Sequence, residues 1–136
     1  MKRVAKEVGL PFGERTKTYN SRLAQELAKW AEPKGKEDAF HEAVFRAYYV
    51  EGKNIGKKET LVELAKCSGL DEEEARSVLE SRSYREAVDS DWACCSELDI
   101  TAVPTFQMDG DRVVGAQPYE VLEEFLRRHG VKERKR

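Results

Sequence analysis

The sequence predicts a mainly helical α+β chain, on three observations. Apolar residues recur at helical spacing through about the first hundred positions, the period then falls to two around Asp109-Gly110, and one more amphipathic segment follows. At 136 residues the chain suits one compact domain, and a single folding unit is expected over 1–136. Within it, helices are expected over about 1–100, a hairpin and helix over about 101–130, and a basic tail over 131–136.

Asn20 or Ser21 can cap a first helix whose Leu23, Leu27, Trp30 and Ala31 share one face, and Pro33 with Gly35 ends it. A second helix, from about Glu37 to Glu51, carries Phe40, Val44, Ala47 and Tyr48 on one stripe with Phe45 and Tyr49 beside it. Its width predicts burial on two sides before Gly52 stops it. Thr60 to Lys66 is a third helix, with Leu61, Leu64 and Ala65 apolar, ending at Ser68-Gly69. Asp71 then reads as an N-cap with Glu74 completing a capping box and Leu70 as hydrophobic staple. The acidic turn Glu72-Glu73-Glu74 suits the positive end of the helix dipole. Ser83 and Glu86 repeat the box for a fifth helix through Val88, Trp92, Cys95 and Leu98, ending before Asp99.

Ala102 to Met108 and Arg112 to Val114 flank Asp109-Gly110, a strong hairpin signal, so two antiparallel strands are expected. Gln117 at an N-cap and Pro118 after it open a last helix, with Val121, Leu122, Phe125 and Leu126 as its buried stripe and Gly130 as its stop. A two-stranded sheet is marginal alone and its edges invite another strand. Pro104, inside the first strand, marks an edge, a bulge or a cis turn.

The charged fraction of 37% exceeds the roughly 25% usual for soluble domains, yet 9% aromatic content and regular apolar spacing argue for a solvated globular surface rather than disorder. No run approaches the roughly 18 apolar residues of a membrane span, and Met1 to Glu7 lacks the apolar core of a signal peptide. A cytoplasmic location without membrane contact is expected. Residues 1–36 carry net charge +5, residues 37–100 carry −8 and residues 101–136 carry +1. The acidic middle disfavours nucleic acid. The basic runs Lys2-Arg3 and Lys132 to Arg136 lie at the ends without interleaved aromatics, so they read as solvated tails and no phosphate binding is expected.

Three cysteines, Cys67, Cys94 and Cys95, form no disulfide framework and no Cys-x-x-Cys, and fit a reducing compartment. Neighbouring residues on a helix project about 100° apart, so Cys94 and Cys95 are expected as two thiols. Cys95 falls on the apolar stripe as a small buried side chain, Cys94 is partly exposed, and both stand as the candidate redox thiols. Cys67 lies near a helix C-terminus, whose negative dipole end disfavours a thiolate. His41 and His129 lack partners at ligand spacing and read as surface side chains, so neither a metal site nor a cofactor is expected.

Several pieces of sequence, in order, carry a resemblance. They are Asn20-Ser21-x-x-Ala24, Phe45-Arg46-Ala47-Tyr48 with Glu51 to Ile55, Leu61-x-x-Leu64-Ala65, Gly69-Leu70-Asp71, Val103-Pro104-Thr105-Phe106, the Asp-Gly hairpin and Gly115 to Pro118. Together they resemble the DsbA-like thioredoxin superfamily, nearest its FrnE-like branch, over about residues 2–130. The resemblance implies an inserted helical subdomain over about 1–100, followed by the C-terminal hairpin and helix of a thioredoxin fold. It also implies that the Val103-Pro104 bond is cis and that Val103, Pro104 and Thr105 face the substrate, with the Val103 backbone pairing with an extended peptide or glutathione. The bland alternative is that Pro104 shapes a packed corner.

The departure from the family is as informative. The family's strand-helix-strand unit, with its Cys-x-x-Cys at a helix N-terminus, is expected to lie before this sequence begins, as is the serine used by the related 2-hydroxychromene-2-carboxylate isomerases and kappa-type glutathione transferases. No catalytic residue can be carried over. Three readings are open: an oxidoreductase-like protein inactive alone, a non-catalytic module that binds a peptide or partner through the strand around Pro104, and a truncated or split half needing a second chain. A homodimer or a partner chain is expected to complete the sheet, and the apolar side of Val121 and Phe125 is expected to lie uncovered. No G-x-S-x-G, phosphate loop or H-E-x-x-H is present to support another enzyme class.

Overall fold

The computed structural model describes residues 2–14 and 16–134, and among these described residues seven α-helices and two strands follow one another. The chain divides into two units, Met1–Ser90 and Asp91–Arg136, and the division falls inside a helix.

In the first unit, α1 (Lys2–Glu7) has no counterpart among the sequence expectations. Its six residues bury nothing, and its ion pairs are Arg3 with Glu7 one turn on and Lys2 with Glu14. The Lys2-Arg3 run is therefore an exposed helix start and not a tail. Gly13 follows in an irregular stretch, its N–H donating to the Tyr49 carbonyl at 2.9 Å. A Cβ there would stand 2.0 Å from the Val50 carbonyl oxygen, so only glycine permits this approach.

Helix α2 (Arg22–Ala31) opens where the Asn20 side chain accepts the Arg22 N–H at 2.8 Å. It buries Leu27, Trp30 and Ala31, as its spacing predicts, and runs into a 3₁₀ turn (Glu32–Lys34) closed by Gly35 at φ 64°. Helix α3 (Glu37–Phe45) continues as a π-helical segment (Arg46–Val50). Phe40, Val44 and Ala47 are buried, but Phe45 is 57% exposed, so burial on two sides is corrected to burial on one. The outer aromatics instead form a row, with Phe45 6.2 Å from His41 and 6.1 Å from Tyr49.

Helix α4 (Lys58–Cys67) buries Leu61, Val62, Leu64 and Ala65 and ends at Gly69, φ 77°, where the Leu70 N–H returns to the Ala65 carbonyl. Helix α5 (Glu72–Ser81) is capped by Asp71, which accepts the Glu74 N–H at 2.8 Å. The reciprocal half of the expected capping box is replaced, because the Glu74 carboxylate reaches Lys34 at 2.6 Å. Leu27, Phe40, Leu61, Ala65, Ala75 and Leu79 form the centre of the core, drawn from all four helices α2 to α5. Each large side chain there contributes about 1.5–3 kcal/mol of burial.

Glu26 lies in this unit with only 1% of its surface exposed. Arg82, held at φ 56° past the end of α5, grips it with Nε and Nη2, both at 2.6 Å, and Arg22 Nε adds a third bond at 2.8 Å. Arg22 also reaches Asp89 at 2.5 Å. The Arg82 hydrogen bonds hold the Glu26 carboxyl below its ordinary value against the cost of burial, and those of Arg22 add to them. This triad was not anticipated from sequence.

Helix α6 (Arg85–Glu97) begins later than Ser83, and its first turn is set by the Tyr84 carbonyl accepting the Val88 N–H at 3.3 Å. In the second unit, β1 (Thr105–Met108) and β2 (Asp111–Val114) pair antiparallel, with Met108 opposite Asp111. Asp109 (φ 50°) and Gly110 (φ 83°) are both left-handed, the backbone of the tight turn that Asp-Gly predicts. Pro118, not Gln117, is the N-cap of α7 (Tyr119–Arg128), and the Gln117 amide instead donates to the Val114 carbonyl. Phe125 is the one buried side chain of α7, while Val121 and Leu126 are exposed, which corrects both the expected buried stripe and the expectation that Phe125 lies uncovered. Two short strands have too little face to cover a whole helical stripe.

His129, expected at the surface, has only 13% of its side chain exposed. Its ring lies 4.9 Å from that of Phe125 and 3.1 and 3.4 Å from the Asp109 and Asp111 carboxylates. Of the expected tail, residues 131–134 have no regular structure, and Lys135 and Arg136 lie outside the described residues.

Candidate functional site

The C-terminal turn of α6 leads into the segment around Pro104. Asp99 takes φ 50°, its N–H bonds the Ser96 carbonyl at 3.0 Å, and the Ile100 N–H bonds the Cys95 carbonyl at 2.8 Å. That pair of bonds is a Schellman ending built without glycine. Arg112 of β2 reinforces it, donating to the Asp99 and Leu98 carbonyls at 3.0 and 2.9 Å. The chain then bends through residues 102–104, so the strand expected from Ala102 begins only at Thr105. Proline lacks the N–H that a ladder needs.

The Val103-Pro104 peptide bond is cis. The Pro104 carbonyl accepts the Gly115 N–H at 2.8 Å, and Thr105 Oγ1 donates to the Ala102 carbonyl at 2.6 Å. The Pro104–Gly115 bond fixes the ladder's phase. With Met108 opposite Asp111 across a two-residue turn, Phe106 exchanges bonds with Val113, while the N–H and C=O of Thr105 and Gln107 point away from β2. Among the described residues no strand pairs with that outer edge. Val103, at 89% exposed, stands at its head.

Beside this segment is a hollow of about 470 Å³ lined by Trp92, Cys95, Ser96, Asp99, Ile100, Thr101, Ala102 and Val103. Of the sequence-predicted site residues it brings together Val103 and Cys95, while Cys94 is not in its lining. Cys94 and Cys95 are both exposed, as is Cys67 at the last position of α4. The expectation that Cys95 is buried is corrected, and Trp92 on the same stripe is 56% exposed. Helical spacing predicts a core stripe here, but the residues on it from Trp92 onward are exposed or line the hollow. Trp92, Asp99 and Ile100 were missed as site residues. The i, i+3 spacing of Trp92 and Cys95 ahead of the proline strand is the sequence signal that could have found the first of them.

Among the described residues no group of three or more His, Cys, Asp or Glu side chains is placed to hold a metal ion, and no helix is long and apolar enough to cross a membrane.

The model of the DSBA-like thioredoxin domain family matches residues 1–127. The uncharacterized protein YwbO of Bacillus subtilis is 36% identical over 108 residues, covering 76% of this chain and 52% of its own length. Thus the chain spans about half the length of that curated relative. A probable DsbA oxidoreductase of Streptomyces coelicolor superposes with a TM-score of 0.82 at 31% identity, over 97% of this chain and 58% of its own. The cytosolic disulfide reductase DsbM of Pseudomonas aeruginosa superposes with a TM-score of 0.65 at 26% identity, over 93% of this chain and 73% of its own. The helical segment, the antiparallel hairpin and the closing helix are thus those of a known fold, and the chain belongs to the DSBA-like thioredoxin domain family.

Proposed function

We propose that this chain supplies the substrate-holding part of a thiol-disulfide oxidoreductase of the DsbA family, in its FrnE-like branch, and exchanges no disulfides by itself. The observation that carries the reading is the outer edge of β1, where the backbone of Thr105 and Gln107 points away from β2 beside the exposed Val103. An extended peptide adds to such an edge by main-chain hydrogen bonds, with Val103, Pro104 and Thr105 as its first contacts. Disulfide exchange needs a thiolate that attacks a disulfide sulfur and a second thiol that resolves the mixed disulfide. These 136 residues contain no Cys-x-x-Cys, so the pair has to come from another polypeptide segment. Adjacent Cys94 and Cys95 project about 100° apart and do not replace it. A cytoplasmic location goes with this reading, supported by the cytosolic relative from Pseudomonas aeruginosa.

The test uses fluorescein-labelled reduced insulin B chain as the probe peptide. Saturable binding is expected, unchanged when all three cysteines become serine and weakened about tenfold by Thr105→Pro, which removes one outward N–H and spares the β1–β2 ladder. In an insulin-reduction assay the chain alone is expected to match the buffer rate, and a polypeptide carrying Cys-x-x-Cys added in trans raises it. Loss of binding in the triple serine variant, or turnover by the chain alone, would overturn the proposal. Peptide binding without any gain from the added thiol pair would favour a non-catalytic binding module. The same outward backbone supports a second reading, in which two hairpins join edge to edge as a homodimer.

A further inference from the structure

A second hollow, of about 440 Å³, lies among the helices of the first unit and is lined by Asn20, Arg22, Leu23, Gly56, Lys58 and Arg82. Three cationic side chains meet there from three elements: the start of α2, the start of α4 and the residue that ends α5. We propose that it binds a small oxyanion of the phosphate class.

The inner face of the cluster is already neutralised. Glu26 takes Nε and Nη2 of Arg82 and Nε of Arg22, and Asp89 takes Nη2 of Arg22. Asp89 also pairs with Arg85, so neither carboxylate is left to neutralise Lys58. Arg82 Nη1 keeps two N–H donors without an acceptor among the described residues, and Lys58 makes no ion pair there. The backbone adds donors of its own. Neither Ser21 nor Lys57 caps its helix through a side chain, and among the described residues the N–H groups of Leu23 and Lys58 find no acceptor. Residues from two helix starts, Leu23 and Lys58 with open N–H groups, line one hollow together with an ammonium and half a guanidinium, the donor set of a charge-assisted cradle. Donors arriving from several directions suit a tetrahedral group better than a planar carboxylate, and the volume admits an esterified phosphate as well as the free ion.

The terminal basic runs, of which no phosphate binding is expected, contribute nothing to this site. It is assembled from Arg22, Lys58 and Arg82, residues far apart in sequence.

The test follows the backbone amide resonances of the full chain while inorganic phosphate is added at constant ionic strength, with chloride as the control. Saturable shifts are expected at Leu23, Gly56 and Lys58 with phosphate and not with chloride. Lys58→Gln, an exposed first-turn change, is expected to weaken binding about tenfold, and Lys58→Arg to retain it. Phenyl phosphate in place of phosphate identifies the source: tighter binding points to an ester, equal binding to the free ion. Non-saturating shifts, or an affinity unchanged by Lys58→Gln, would overturn the proposal.

Discussion

Glu26 is a carboxylate in the middle of an apolar helix face, with Ala24, Leu27 and Ala28 buried around it. Its three charge-assisted bonds offset a desolvation cost of several kcal/mol, so each partner depends on the others. Glu26→Ala removes the shared acceptor, taking from Arg82 its carboxylate partner and from Arg22, which keeps Asp89, one of its two. A loss of about 3 kcal/mol is expected, read from the urea midpoint. The pH dependence has a definite sign. Because the folded-state carboxyl lies below its ordinary value, its contribution is complete above the unfolded value and is lost as pH falls through the folded one. Asp111 acts in the same direction, held low first by the Arg112 backbone N–H and then by His129. Melting temperature is therefore expected to fall with acidification, more gently in Glu26→Gln.

At the scale of elements, the join between α6 and the hairpin rests on Arg112. Its guanidinium satisfies the Leu98 and Asp99 carbonyls at the negative end of the helix, where a cation is also favoured by the dipole. Arg112→Met keeps the length of the side chain and removes both bonds. It is expected to cost about 1–2 kcal/mol and to speed amide exchange at Asp99 and Ile100, with the helices α2 to α5 unaffected. Unchanged exchange at those two amides would show that the Schellman bonds alone hold the turn. The hairpin and the capped start of α5 were legible in the sequence, because Asp-Gly and Asp71 act through their own backbone. The ends of α6 and α7 were less so. Ser83 and Gln117 have the right chemistry for caps, but Tyr84 and Pro118 sit where the chain turns.

For the whole molecule, the question is what covers the outer edge of β1. A two-stranded sheet is marginal alone, and Phe106 and Val114 are exposed on it. In the self-association reading, static light scattering across a tenfold concentration range is expected to give twice the chain mass and a dimer that dissociates on dilution. A constant monomer mass would exclude that reading and leave the edge for a peptide or another chain.

The sequence alone determined the order of the elements from α2 onward, the stripes that α2 to α4 bury, the cap of α5, the hairpin turn and the family resemblance. Each is local: a period, a cap or a turn residue acts within a few positions of itself. Only the tertiary structure decided that Cys95 shares a hollow with Val103, that His129 lies between two aspartates, that Glu26 is buried beneath two arginines, and that Lys58 and Arg82 line one hollow. Those outcomes depend on which elements pack together. A periodic stripe states that one face is apolar, but whether that face is covered depends on residues far away in the chain.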